Sequence, residues 1–302
     1  MRSLEELLAL GGEQGFLTHK QVTECLPAEA EPEEMDQILD FLALHEIPIA
    51  DQCATDLPWY AEHALGDSLE DARRRIRHFI FQIGMAPEWH LERAYEILQD
   101  DTLLSEYVVP DNLNDEEASK YLDDLGTLVE ETRKQDEICA NRWTVGRNDS
   151  FGYREQQRKL ESLLLNFRFE LRWYEQLARE QEKPALGHAI QLLRDSKQDA
   201  EQHRSMELEL RLSLREYVQL EKSIAEELLR LDDLKAQLVA SHSEFAKKLI
   251  HADYGTDPDV IYHAMYGLRM AANRFDFRRG YRFAVYAQHW IEAAAKKGLD
   301  PF

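Results

Sequence analysis

The stretch Asn273-Arg-Phe-Asp-Phe-Arg-Arg-Gly-Tyr-Arg-Phe-Ala-Val-Tyr-Ala-Gln-His-Trp-Ile291 decides how the rest of the chain is read. Phe275, Phe277, Tyr281, Phe283, Tyr286 and Trp290 bring rings, Arg274, Arg278, Arg279 and Arg282 bring charge, and Asp276 is the single acid. Arginine offers charge to phosphates and donors to base edges, while flat rings give unpaired bases a stacking surface. The same pattern also fits an amphipathic helix whose rings are core and whose arginines are solvated. Gly280 suits a loop over Phe275–Gly280, and Phe283–Lys297 reads as the last helix. Upstream, Asp257 and Pro258 fit an N-cap and first turn. Val260, Ile261, Ala264, Leu268 and Ala271 then give the following helix an apolar face. Two helices joined by a short loop are the expected local fold.

The charge of this stretch runs against the chain around it. The 302 residues carry a net charge of -22, yet from His251 onward seven Lys/Arg meet six Asp/Glu. That balance excludes binding of duplex DNA over the whole surface and confines nucleic-acid contact to the C-terminal segment. Cys25, Cys53 and Cys139 are isolated, with no C-x-x-C or Cys/His metal spacing, so a reducing cytoplasm fits and no metal or other cofactor is expected. No apolar run is long enough to span a membrane, and Met1-Arg-Ser-Leu-Glu-Glu6 opens an acidic helix rather than a signal peptide. With no Gly-rich phosphate loop, no nucleophile elbow and no H-E-x-x-H, the chain is not expected to be an enzyme.

Working back from the C-terminus, the pattern is helical throughout. Between Gly187 and Gly255 there is neither proline nor glycine, and Leu210, Tyr217, Ile224, Leu231, Leu238 and Phe245 recur every seven residues. This predicts one coiled-coil-like helix of some sixty residues, about 90 Å long. Leu160–Leu177 reads as one buried helix, and Asp115 to Trp143 as an acidic one that Thr144–Gly152 breaks. Glu88–Leu98 is another, and Ser68 is expected to cap a helix through Ile83. Arg73-Arg-Arg-Ile-Arg77 reads as a face paired with nearby acids, and lone histidines such as His188 and His242 as helix-surface residues.

At the N-terminus, Ser3 caps a short helix stopped by Gly11 or Gly12. Thr18-His-Lys-Gln21 is a capping box opening a helix through Cys25 and Leu26. Pro32 starts a third, with Met35, Ile38, Leu39 and Leu42 on one face, and Ile47-Pro-Ile49 is extended. The predicted fold is all-α. A three-helix acidic module (1–51) precedes an elongated helical middle (52–241), whose long helix leads into a final helical segment (242–302).

Two blocks carry a family resemblance. Gly12-Glu-Gln-Gly-Phe-Leu-Thr18, Leu26-Pro27 and His45-Glu-Ile-Pro-Ile49 resemble, in order and spacing, region 1.1 of housekeeping bacterial sigma factors. Arg274-Phe-Asp-Phe-Arg-Arg-Gly-Tyr-Arg-Phe283, with Tyr286-Ala and Trp290-Ile, resembles region 2 of the sigma-70 family. The resemblance implies that Phe275, Asp276, Arg279 and Tyr286 line a pocket for a flipped base. It further implies that Tyr281 and Phe283 face single-stranded bases, that Trp290 is one of two wedge tryptophans, and that Arg278 and Arg282 approach phosphates. The surface that meets the clamp helices of RNA polymerase would carry Asp259, Tyr262, His263, Met265, Gly267 and Leu268. Departures fall at His289, Val285, Glu292, Ala293 and Ala295, which puts readout of the duplex edge in doubt. Tyr262, His263 and Met265 replace a polar set, so polymerase contact shifts toward apolar. No counterpart of regions 1.2, 3 or 4 is recognised.

Two functions remain open at this point. One is a sigma-factor-like initiation protein, expected as a monomer, that binds RNA polymerase core and single-stranded −10-like promoter DNA. The other is a sigma-derived regulatory or interaction protein that docks on polymerase or another partner without initiating transcription.

Overall fold

The computed structural model describes residues 4–25, 38–39, 41–42, 45, 47, 49–50, 59–108, 115–146, 151–180, 200–255, 257–277 and 282–299. Among the described residues the protein is all-α apart from one two-stranded pair. Two compact units are present, Met1–Glu70 with Leu231–Phe302, and Asp71–Arg230.

In the first unit, α1 (Leu4–Gln14) runs through Gly11 and Gly12 instead of stopping there. The stop is Gly15, whose positive φ of 75° lets its N–H reach the Gly11 carbonyl at 2.8 Å. Gly11 has a different task, because a Cβ there would lie 2.6 Å from Ile47 Cγ2. The capping box forms as expected, with the Gln21 N–H donating to Thr18 Oγ1 and the Thr18 N–H to Gln21 Oε1 at 2.8 Å. It opens only a short α2 (His19–Thr23), so Cys25 lies in the turn beyond it. β1 (Leu17–Thr18) pairs in parallel with β2 (Ile49–Ala50), Leu17 opposite Ile49. Ile38, Leu39 and Leu42 are buried as the pattern required, whereas Ser3, Leu26, Pro32, Met35 and Cys53 lie outside the described residues.

The helix expected from Ser68 begins earlier. α3 (Trp59–Phe81) has Ser68 in its interior, with Oγ donating to the Ala64 carbonyl at 2.8 Å, so Ser68 caps nothing. The buried line of this helix begins at Glu62 and passes through Gly66, Leu69 and Glu70, which is the periodic signal that a glycine and a carboxylate concealed.

In the second unit follow α4 (Ala86–Gln99), α5 (Leu104–Tyr107), α6 (Asp115–Gly146), α7 (Phe151–Asn166), α8 (residues 171–180) and α9 (Ala200–Leu210). The single helix expected over Leu160–Leu177 is two. Arg168 takes a φ of 54°, Phe169 bridges to Val108, and the Glu170 N–H donates to the Tyr107 carbonyl at 2.8 Å. The core here is aromatic. His90 sits fully buried among Phe81, Phe167, Phe169, Trp173 and Tyr174, with Nδ1 on the Ala86 carbonyl at 2.7 Å and Nε2 at 3.0 Å from the Tyr174 hydroxyl. Burial drives its pKa down to about 4, so the ring is neutral at pH 7.

Three of the four arginines of the α3 run turn to partners within this unit, while Arg74 is exposed. Arg73 is buried against Glu175 at 3.4 Å, Arg75 meets Glu227 at 2.8 Å as well as Asp71, and Arg77 lies over the Tyr174 ring. The seven-residue seam does not give one long helix either. It breaks at Arg211, whose φ is 52° and whose guanidinium grips Asp136 at 2.5 and 2.9 Å. A second capping box restarts the helix: the Glu216 N–H donates to Ser213 Oγ at 3.2 Å, and the Ser213 N–H to Glu216 Oε2 at 2.9 Å. α10 (Leu214–Tyr254) follows. Its seven-residue line holds to Leu238 and then continues in four-residue steps through His242, Ala246 and Ile250.

Candidate nucleic-acid interface

The first unit carries the aromatic and arginine-rich stretch Asn273–Ile291. α11 (Pro258–Arg274) starts on Asp257, whose carboxylate accepts from the Asp259 N–H at 2.9 Å, with Pro258 at the first position as expected. α12 (Phe283–Leu299) packs against it at close range. A Cβ on Gly267 would lie 2.3 Å from the Trp290 carbonyl oxygen and 2.8 Å from Ala294 Cβ, so only glycine allows this crossing. Gly267 and Leu268 are therefore buried between helices, while Asp259 and Tyr262 stand on the exposed face. His263 and Met265 are half-buried. Tyr266, which the sequence reading passed over, shares that face one turn beyond Tyr262; the two are 53% and 66% exposed.

The ring residues come together, but as core. Phe275, Phe283 and Tyr286 are each 1% exposed or less. Their centroids lie 5.2 Å (Phe275–Phe283) and 5.1 Å (Phe275–Tyr286) apart, with Phe277 edge-on to Phe275 at 4.6 Å. Such tilted and edge-on pairs are the favoured arrangement of packed rings. Trp290 is also buried; the Arg274 guanidinium lies 5.0 Å from its ring centre, and its Nε1 finds no acceptor among the described residues. Asp276 and Arg282 are half-buried. Arg278, Arg279 and Tyr281 lie outside the described residues.

Residues of α3 complete this cluster. A Cβ on Gly66 would fall 2.2 Å from a Phe277 ring carbon, so that glycine admits the ring. One turn earlier, Glu62 is 3% exposed and its carboxylate sits at the start of α12. Oε1 accepts the Phe283 N–H at 2.5 Å, and Oε2 accepts from Arg282 at 3.3 and 3.4 Å. His242 Nε2 lies 3.7 Å from the same oxygen. His242 is wholly buried, contrary to its expected place on a helix surface, with its ring edge-on to Phe283 at 4.8 Å and Nδ1 at 2.9 Å from the Leu238 carbonyl. Burial alone would raise the Glu62 pKa; His242, the Phe283 N–H and Arg282 outweigh it and hold the carboxyl below its ordinary value.

Glu62 and His242 are the residues that sequence reasoning missed. The available signal was a lone acid and a lone histidine at helical spacing within otherwise apolar lines. Chemically the arrangement is a buried anion held by a guanidinium, a helix N-terminal amide and an imidazole. Among the described residues no group of His, Cys, Asp or Glu could hold a metal ion, and no helix is long and apolar enough to cross a membrane. The match to known families falls on the N-terminal part of this unit and includes Glu62. Residues 1–73 match the family model described as sigma-70 factor, region 1.1.

Proposed function

We propose that this protein acts in transcription initiation as a sigma-factor-like protein that binds RNA polymerase core and single-stranded −10-like promoter DNA. The observation that carries this reading is the match of residues 1–73 to sigma-70 region 1.1, in one chain with the region 2-like phrase Arg274–Phe283. On this reading Asp259, Tyr262, His263 and Met265 lie on or beside the polymerase-facing side of α11. Arg278, Arg279 and Arg282 meet phosphates, and Phe275, Asp276, Tyr281, Phe283, Tyr286 and Trp290 serve melted bases. The exposed pair Tyr262 and Tyr266 supports an apolar docking face of the kind found at protein interfaces.

A second reading has one specific observation in its favour. Phe275, Phe283 and Tyr286 are covered, and Arg282 is engaged by Glu62. A protein that docks on polymerase without starting transcription would need none of those rings free. Pull-down with purified core polymerase, followed by titration of a fluorescent TATAAT-type single strand, separates the two. Binding of both, with Tyr286→Ala lowering strand affinity by roughly 1–3 kcal/mol, supports the first reading. Core binding alone supports the second, and binding of neither ends the transcription reading.

A further inference from the structure

The end of the α6–α7 hairpin stands apart from everything used so far. Val145 is 86% exposed and Phe151 82% exposed, the two largest exposures among the large apolar side chains of the described residues. Ile138, Arg142 and Val145 follow one another at four and three residues on α6, and Phe151, Arg154 and Arg158 at three and four on α7, so each set forms a line along its helix. All six are exposed. Beneath them the hairpin is firmly built: Trp143 and Tyr153 are buried with ring centres 5.3 Å apart, and Gln135 donates to the Gln156 carbonyl at 3.0 Å.

The charge at this end is the reverse of the chain's. Between 141 and 158 there are four arginines against Asp149 and Glu155, a balance of +2 in a chain of -22. Asp136 is engaged by Arg211 and Glu155 by Lys159 at 3.0 Å, while Glu161 faces Arg158. With a screening length of about 8 Å at physiological salt, a ligand at the hairpin end responds mainly to this local charge.

We propose that this hairpin end is a second nucleic-acid contact. Arg142, Arg154 and Arg158 take backbone phosphates of a single strand, and Phe151 offers its ring to an unpaired base. Arg154 and Arg158, one helical turn apart, match the repeat of phosphates along a strand, and an exposed ring beside arginines is the pairing that sequence-tolerant strand binding uses. An acidic protein would satisfy the arginines equally but gives no reason for a nearly bare phenyl ring on a helix end.

The test uses the full chain and a fluorescent mixed-sequence single strand lacking any −10-like element, titrated at several salt concentrations. The triple variant Arg142→Gln, Arg154→Gln, Arg158→Gln is expected to lower the slope of log K against log salt by about 2. Phe151→Ala is expected to weaken binding about ten-fold at unchanged slope. The promoter-strand reading is tested apart from this one, by the TATAAT-type strand, so the two ideas fail separately. Because Arg142, Phe151, Arg154 and Arg158 are exposed, matching thermal unfolding certifies the fold of each variant. Unchanged slope and affinity in the folded triple variant would overturn the proposal. So would displacement by polyglutamate at concentrations where the oligonucleotide does not compete, which would assign the end to an acidic protein.

Discussion

Replacing Glu62 by alanine removes the only carboxylate among the described residues that the Phe283 N–H, Arg282 and His242 share, and the size of the loss follows from what each is left with. The Phe283 amide is buried at a helix start and has no further partner in that helix, so its desolvation is exposed at about 1–3 kcal/mol. Arg282 is partly open and recovers water, so its share is small. His242 is enclosed, and the loss of the carboxylate oxygen 3.7 Å from its Nε2 adds to the total. Breaking a buried ionic group from one side costs about 3–5 kcal/mol in all, which is the expected destabilisation of Glu62→Ala. Glu62→Gln keeps an oxygen for the Phe283 N–H and should cost only about 1–2 kcal/mol.

The two variants separate the hydrogen bond from the charge, and pH separates them again. The Glu62 pKa is lowered in the folded state. Its ionic contribution is therefore complete above the ordinary carboxylate value of 4.5 and is lost as pH falls through the lower folded value. The difference between wild type and Glu62→Gln should accordingly be constant from neutral pH to about 5 and shrink below 4.5. Native-state hydrogen exchange of amides 283–290, read beside urea unfolding, gives the local and global costs together. Glu62→Ala within 1 kcal/mol of wild type would refute the reasoning. A Gln deficit that persists unchanged to pH 3 would refute the ionic part of it.

Three further outcomes follow from the packing. Gly267→Ala must push α11 and α12 apart, since its methyl would meet a carbonyl oxygen at 2.3 Å; a loss of about 3 kcal/mol or more in urea unfolding is expected, against a gain of about 0.5–1 kcal/mol for Gly→Ala at an open helical glycine such as Gly126. His90 takes no proton until about pH 4 in the fold but does so near 6.5 when unfolded. Stability should thus fall by about 3 kcal/mol as pH drops from 6.5 to 4, a slope that His90→Asn removes if circular dichroism is followed across that range. Ser213→Ala deletes the cap that restarts the helix after Arg211 and should cost about 1 kcal/mol in thermal or urea unfolding, whereas Ser223→Ala on an exposed helical turn should cost almost nothing.

Helical class and most helix positions were legible because apolar spacing, proline at Pro87 and Pro258, and the capping boxes are local signals. The misreadings share a cause. At Arg168 and Arg211 a non-glycine residue takes a positive φ that nothing in its own side chain announces; the bond from the Glu170 N–H to Tyr107 fixes the chain just beyond Arg168, and Arg211 itself is held by Asp136. The Ser213-Leu-Arg-Glu216 box was present in the sequence, yet a seven-residue seam crossing it without proline or glycine suggested continuity. The aromatic stretch was legible as a cluster but not as buried or exposed, because that depends on α3, more than two hundred residues away in sequence. Glu62 in the interior of a helix looks like any other solvated acid until its partners arrive.

The burial of the rings places a quantitative condition on the promoter-strand reading. Covering a side chain the size of phenylalanine or tyrosine is worth about 1.5–3 kcal/mol, so uncovering Phe275, Phe283 and Tyr286 together costs roughly 5–9 kcal/mol. Stacking returns about 1–3 kcal/mol for each base accepted. One or two bases therefore leave a deficit that the strand alone does not meet, and moving Glu62 off Arg282 adds to it. The balance has to come from a partner that favours the uncovered arrangement, and such a partner shifts the equilibrium only by its difference in affinity for the two arrangements. The exposed face of α11 is where a polymerase surface would supply that difference, because α11 is pinned to α12 at Gly267 and ends at Phe275 inside the ring cluster. A displacement of α11 is thereby felt at the rings directly. On this arithmetic, core binding comes first and strand capture second, and a free chain that captures bases through Tyr286 as tightly as the polymerase-bound one would contradict the buried arrangement itself.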